Sequence, residues 1–253
     1  MTSLPPPDFL TIGSGSESRR IAYRRIAGRG PCVVWLGGFK SDMKGTKAEA
    51  LSAWATREGR AFLRFDYSGH GESEGDFEQG TISRWAEEAV AMIGLAGPRP
   101  ILVGSSMGGW ISLLAVRRLA EAPAGMVLIA PAPDFTEALM WPAFSEGVRA
   151  TIMTEGRWVR PSAYDEGGYP ITRALIEDGR RNLVLGSLVE TGCPVHILQG
   201  MEDPDVPWRH AMLLAEKIAR DDVVVTLIKD GDHRLSRPED LDRLEAAVAA
   251  IGA

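Results

Sequence analysis

The run Ile101-Leu102-Val103-Gly104-Ser105-Ser106-Met107-Gly108-Gly109-Trp110 decides how the rest of the chain is read. Three apolar residues lead into a turn of glycine and serine, and a helical apolar pattern follows over 110–119. Strand, tight turn and helix form the context in which G-x-S-x-G holds a serine as a nucleophile. The turn strains the serine's backbone, so the residues two before and two after it must be small. Gly104 and Gly108 occupy those places, which makes Ser106 the candidate nucleophile and Ser105 its neighbour. The plainer alternative is a glycine-rich turn whose serines only cap the next helix. A base and an acid further along the chain decide between the two.

Outward from this stretch, apolar runs recur at 32–36, 61–66, 126–130, 195–198 and 223–228. Continuous apolar runs of this length mark strands buried on both faces of a parallel sheet. Helical patterns separate them, at 45–58, from Thr81 and Ser83 onward, at 207–219 and at 239–251. Residues 9–13 and 19–27 instead alternate apolar and polar, as antiparallel strands do, with a turn at 13–16. The predicted class is α/β, with an open, mostly parallel sheet covered by helices on both faces.

The alternation stops over 134–190, a segment holding Trp141, Trp158, Tyr164 and Tyr169, with breaks at Pro142, Pro161, Gly167-Gly168 and Pro170. It is too long for a plain loop. The reading is a core domain of 1–133 and 191–253 with a mainly helical cap inserted at 134–190.

Composition sets limits. The chain of 253 residues is 45% hydrophobic and 25% charged, ordinary for a globular protein. A net charge of -6 argues against a nucleic-acid partner, since phosphate binding needs clustered positive charge. Cys32 and Cys193 lie in or beside apolar runs and read as buried, reduced thiols. With four histidines and no C-x-x-C or H-E-x-x-H, neither a metal site nor a cofactor is expected. The start of the chain, with Pro5-Pro6-Pro7, lacks the basic and apolar regions of a signal peptide, and no run is long enough to span a membrane. A cytoplasmic protein is expected.

Three histidines follow Ser106. His196 lies inside a buried strand run and reads as a core imidazole, and His210 on a helix reads as solvated. His233, in Asp230-Gly231-Asp232-His233, lies in the loop after the last strand, on the same rim of the sheet as Ser106. His233 is therefore the expected base. His70, ahead of the nucleophile in the 66–73 loop, reads as a residue shaping the pocket.

The acid should follow the preceding strand, where Glu202, Asp203 and Asp205 are candidates. Asp203 is preferred because Pro204 biases it toward extended backbone. Asp205 has a plainer role close to a helix start, where a carboxylate suits the dipole. Two backbone N–H groups should face the developing oxyanion: that of Met107, at the start of the helix, and that of Phe39, after the glycines at 37 and 38.

The strings D-Y-S-G-H-G-E-S at 66–73, G-S-S-M-G-G at 104–109, G-M-E-D-P-D-V-P-W at 200–208 and D-H-R at 232–234 resemble the α/β-hydrolase superfamily of serine hydrolases. More narrowly, with Gly45-Thr46-Lys47-Ala48 and Arg64 to Gly69, the chain resembles palmitoyl-protein thioesterases of the mitochondrial type, which also hydrolyse acyl glucuronides. The resemblance implies an α/β-hydrolase fold, the set Ser106, Asp203 and His233, and thioester or ester hydrolysis through an acyl-enzyme. Its implied partner is a small acyl thioester or ester. The start departs from the subfamily, since a presequence would be rich in arginine and poor in acids. Acyl transfer, C–C or lactone hydrolysis, or a receptor with little turnover could use the same residues, because a fold does not decide its chemistry.

Overall fold

Side chains along a strand point alternately to opposite faces, and here both faces of the central strands are apolar. On one side Val33, Trp35, Ile101, Val103 and Val127 meet Leu51, Trp54, Leu244 and Val248. On the other, Val34, Leu36, Leu102, Leu128 and Ile197 meet Trp85, Met92, Trp110 and Leu214. A sheet apolar on both faces must be covered twice, and helices cover it twice.

The computed structural model describes residues 6–161, 168–220 and 222–251. Pro5, Tyr164 and Gly167 of the sequence reading lie outside the described residues. The strands are β1 (Asp8–Ile12), β2 (Arg19–Ile26), β3 (Arg29–Leu36), β4 (Arg60–Phe65), β5 (Ile101–Ser105), β6 (Gly125–Ile129), β7 (Arg157–Arg160), β8 (Tyr169–Thr172), β9 (Val195–Gly200) and β10 (Val223–Ile228). The helices are α1 (Thr46–Glu58), α2 (Ile82–Gly94), α3 (Met107–Val116), a short α4 (Trp141–Ala143), α5 (Glu146–Glu155), α6 (Arg173–Arg181), α7 (Trp208–Lys217) and α8 (Pro238–Ile251).

Eight strands form one sheet in the order β1-β2-β4-β3-β5-β6-β9-β10. β1 and β2 pair antiparallel, and β2 pairs antiparallel with β4; from β4 to β10 every pairing is parallel. The α/β class and the mostly parallel sheet match the sequence reading. Because the parallel strands run the same way, the chain segments after β3, β4, β5, β9 and β10 all emerge on one rim.

Between β6 and β9 the chain forms a π-helical turn (Thr136–Met140), α4, α5, α6 and an antiparallel pair, β7 with β8. The small sheet is an addition to the expected helices. Ile152, Ile171 and Ile176 make a local core there. No helix among the described residues is long and apolar enough to cross a membrane. Cys32 and Cys193 are buried and free, and burial pushes the thiols up to about 11 and about 12.

Candidate active site

Ser106 sits between β5 and α3 with φ 54° and ψ -116°, a conformation that side chains rarely adopt. Its neighbours hold it there. Its N–H donates to the Ile129 carbonyl at 2.9 Å, and its own carbonyl accepts from Gly109 at 2.9 Å and Ala132 at 3.1 Å. The flanking glycines are a packing requirement. A Cβ at Gly108 would stand 2.0 Å from the Leu36 carbonyl oxygen, and one at Gly104 would stand 2.6 Å from that of Gly108. The helix starts at Met107, three residues ahead of the expected Trp110, because the turn is completed within Ser106 itself. The Ser106 side chain makes no cap hydrogen bond to the helix.

The hydroxyl instead faces His233. Ser106 Oγ lies 3.2 Å from His233 Nε2, and His233 Nδ1 lies 2.7 Å from Asp203 Oδ2. A carboxylate only accepts, so Nδ1 carries the proton and Nε2 is left to accept from the serine. Asp203 is oriented from several directions. Its Oδ1 accepts the N–H groups of Asp205 and Val206 at 2.8 Å each, and Oδ2 also accepts from Gln199 Nε2 at 3.2 Å. Gln199, fully buried at the end of β9, is a part of this arrangement that the sequence reading missed; a polar residue closing an apolar run was the signal. Asp205 is exposed and brings one carboxylate oxygen within 4.8 Å of ligand-type atoms of Asp203 and His233, while its N–H braces Asp203.

The segment after β3 abuts the serine: a Cβ at Gly38 would lie 3.5 Å from that of Ser106. Phe39 follows, half-buried, and then Lys40 with φ 58°. His70 supports this bend. Its Nε2 accepts the Lys40 N–H at 3.2 Å, and its Nδ1 donates to the Ser68 carbonyl at 3.1 Å. Burial holds the ring neutral, lowering its pKa to about 4. Met107, at the first position of α3, has an N–H with no carbonyl a full turn earlier in the helix.

The Phe39 ring stands edge-on to Phe77, Phe135, Trp85 and Tyr169, with centroids 5.0, 5.8, 6.0 and 6.4 Å away. Tyr169 and Phe135 come from the 134–190 segment, so its aromatics reach the vicinity of Ser106. Among its arginines, Arg157 pairs with Glu78 and Arg173 with Glu177 at 3.6 Å, both at the surface, and Arg160 is exposed.

The other histidines divide. His196, on β9, bonds to Thr226 on β10 at 2.9 Å, away from the serine. His210 differs from the solvated reading: it is buried on α7, with Nε2 2.7 Å from the Pro133 carbonyl. The inner face of α7 packs against the chain leaving β6, and the imidazole satisfies a carbonyl there.

The sequence pattern described as "Alpha/beta hydrolase family" matches residues 33–247. The mitochondrial palmitoyl-protein thioesterase ABHD10 of Mus musculus is 35% identical over 237 residues, covering 93% of this chain and 80% of that protein. Among solved structures, a protein designated a hydrolase from Agrobacterium vitis S4 has 49% identity and a TM-score of 0.95, covering 99% of this chain and 100% of its own. The mouse alpha/beta hydrolase domain-containing protein 10 has 33% identity and a TM-score of 0.86, covering 96% and 98%. The expected cytoplasmic location is corrected by these relatives. Those from Mus musculus, Bos taurus, Pongo abelii, Homo sapiens and Rattus norvegicus are all named mitochondrial. Composition at the start of the chain was too weak a basis for a compartment.

Proposed function

Because the chain belongs to the alpha/beta hydrolase family, we propose that it hydrolyses thioesters and carboxylic esters through an acyl-enzyme formed on Ser106. The observation that carries this reading is the unbroken hydrogen-bond line from Ser106 through His233 to Asp203. Ser106 Oγ attacks the substrate carbonyl carbon as its proton passes to His233 Nε2. Asp203 holds the imidazole tautomer and stabilises the imidazolium without taking the proton. The oxyanion accepts hydrogen bonds from the Phe39 and Met107 N–H groups, each worth roughly 3 kcal/mol to the transition state. Collapse expels a thiolate or alkoxide, which leaves with the proton from His233. Water then enters, gives its proton to Nε2, attacks the acyl carbon and releases the acid and the free serine. The cycle returns every proton and draws on no group beyond these side chains and water.

The acyl chain lies along the aromatic group around Phe39, with the 134–190 segment acting as a cap. The relatives named palmitoyl-protein thioesterases and the apolar character of this wall both favour an acyl thioester over a strongly charged substrate.

A fluorophosphonate probe should label the wild-type protein and leave Ser106→Ala unlabelled. Rapid mixing with p-nitrophenyl esters and acyl thioesters of graded chain length should show a burst of leaving group as the acyl-enzyme accumulates. Label retained by Ser106→Ala removes Ser106 from the mechanism, and the lack of both burst and turnover across the series rejects hydrolysis.

A further inference from the structure

Lys47 lies in the first turn of α1, where the helix dipole already presents positive charge. For the helix alone, a cation is misplaced there. Its side chain instead serves a distant loop: Nζ donates a hydrogen bond to the backbone carbonyl of Arg234, the residue after His233. That carbonyl also accepts the Ser236 hydroxyl at 3.0 Å. The loop has other ties as well: within it Asp232 Oδ1 accepts the Leu235 N–H at 2.9 Å, and Gly231 O accepts the N–H of Glu202, just after β9, at 2.9 Å. Leu235 has φ 43°, so the backbone just beyond the imidazole is strained.

We propose that Lys47 is a positioning residue for His233: its ammonium clamps the Arg234 carbonyl and holds the loop that aims the imidazole at Ser106. The proposal rests on the acyl-enzyme reading above. The charges facing Lys47 are Asp232 and Arg234 on the loop, Asp240 on α8 and Asp203 after β9. Burial outweighs the three carboxylates and lowers the lysine from its ordinary 10.5 to about 8. Two consequences follow. The folded protein holds this proton less tightly than the unfolded chain does, so the ammonium costs stability in full below pH 8, and the cost vanishes above 10.5. In addition, the clamp weakens as the pH rises through 8, because a neutral amine is a poorer donor than an ammonium.

The test compares Lys47→Met and Lys47→Arg with wild type in the full chain, using ester and thioester kinetics from pH 6 to about 9.5 together with thermal melts. Lys47→Met should lose about tenfold in kcat at neutral pH, keep its KM within about twofold and melt no lower than wild type. Lys47→Arg should keep most of that kcat and, staying charged, retain at alkaline pH the activity that wild type loses. A wild-type kcat in Lys47→Met overturns the proposal, as does a loss of kcat that follows a lowered melting temperature. Should Lys47→Met fold poorly, alkaline profiles that coincide for wild type and Lys47→Arg overturn it. Hydrogen exchange over residues 229–237 reads the clamp without substrate: protection should fall in Lys47→Met, and unchanged protection overturns the proposal even where no turnover is measured. Failure of the acyl-enzyme reading is separate, since it shows as absent turnover in wild type or as probe label surviving in Ser106→Ala.

Discussion

At the scale of single residues, the choice between Asp203 and Asp205 shows what a few ångströms decide. Both are aspartates two positions apart, and both bring a carboxylate near His233. Asp203 is buried and faces Nδ1 at 2.7 Å, with two backbone N–H groups on its other oxygen. Asp205 is exposed, and solvent screens its charge. Asp203→Asn presents an amide that can donate to Nδ1, which favours the wrong imidazole tautomer, so kcat should fall by up to about 10⁴. Asp205→Asn keeps the N–H that braces Asp203 and should change kcat by less than about threefold. Steady-state kinetics of the two variants on one ester checks this, and a larger loss in Asp205→Asn would reverse the assignment.

At the scale of elements, the site depends on how one loop holds another. His70, after β4, accepts from Lys40 after β3, and so braces the bend that carries Phe39. The buried ring resists protonation, with its pKa lowered to about 4 from 6.5. A histidine held neutral in this way contributes stability above its unfolded pKa, and loses it as the pH falls from 6.5 through 4. The full loss should be about 3 kcal/mol, with about 2 kcal/mol of it gone by pH 5. His70→Phe should flatten that part of the profile in urea unfolding at pH 7 and about pH 5. It should also lower kcat several-fold, because the bend loses an acceptor while the apolar packing with Tyr67, Phe77 and Trp85 persists. An unaltered pH profile would show that the ring carries no such load. His70 was legible as a pocket residue from its place in the 66–73 loop. His210 was not legible as buried, since a histidine on an amphipathic helix looks the same from sequence on either face.

At the scale of the whole molecule, the 134–190 segment is tied to the sheet domain at its base and along its inner wall. Asp134, where the segment begins, accepts the N–H groups of Val184 and Leu185 near its end at 2.8 and 2.9 Å. Phe39 and Met140 pack against both the main core and the local core of the segment. Phe135, buried between Trp110 at 5.5 Å and Phe39 at 5.8 Å, joins the two. Shared apolar contacts couple unfolding, so far-UV circular dichroism and tryptophan fluorescence should report one coincident transition. Phe135→Ala should cost about 3–4 kcal/mol. Two separate transitions in the wild type would mean that the segment is an independent unit.

The sequence by itself determined the strands and helices of the main sheet domain and the turn at Ser106, but not the β7–β8 pair inside 134–190. Continuous apolar runs, the alternation near the start, helical stripes and the small residues around Ser106 are local consequences of burial and of steric limits on the backbone, and they are readable without coordinates. Order along the chain likewise made His233 and Asp203 the expected partners of Ser106, since segments that leave parallel strands emerge on one rim. Only the tertiary structure decided which side chains meet. Gln199 against Asp203, His70 under Lys40 and Lys47 on the Arg234 carbonyl join residues brought together by strand twist and helix packing. Lys47 and Arg234 are separated by 187 positions, a contact that no local pattern encodes. The same holds for His210: whether a polar ring faces water or a carbonyl depends on what the rest of the fold lays against its helix.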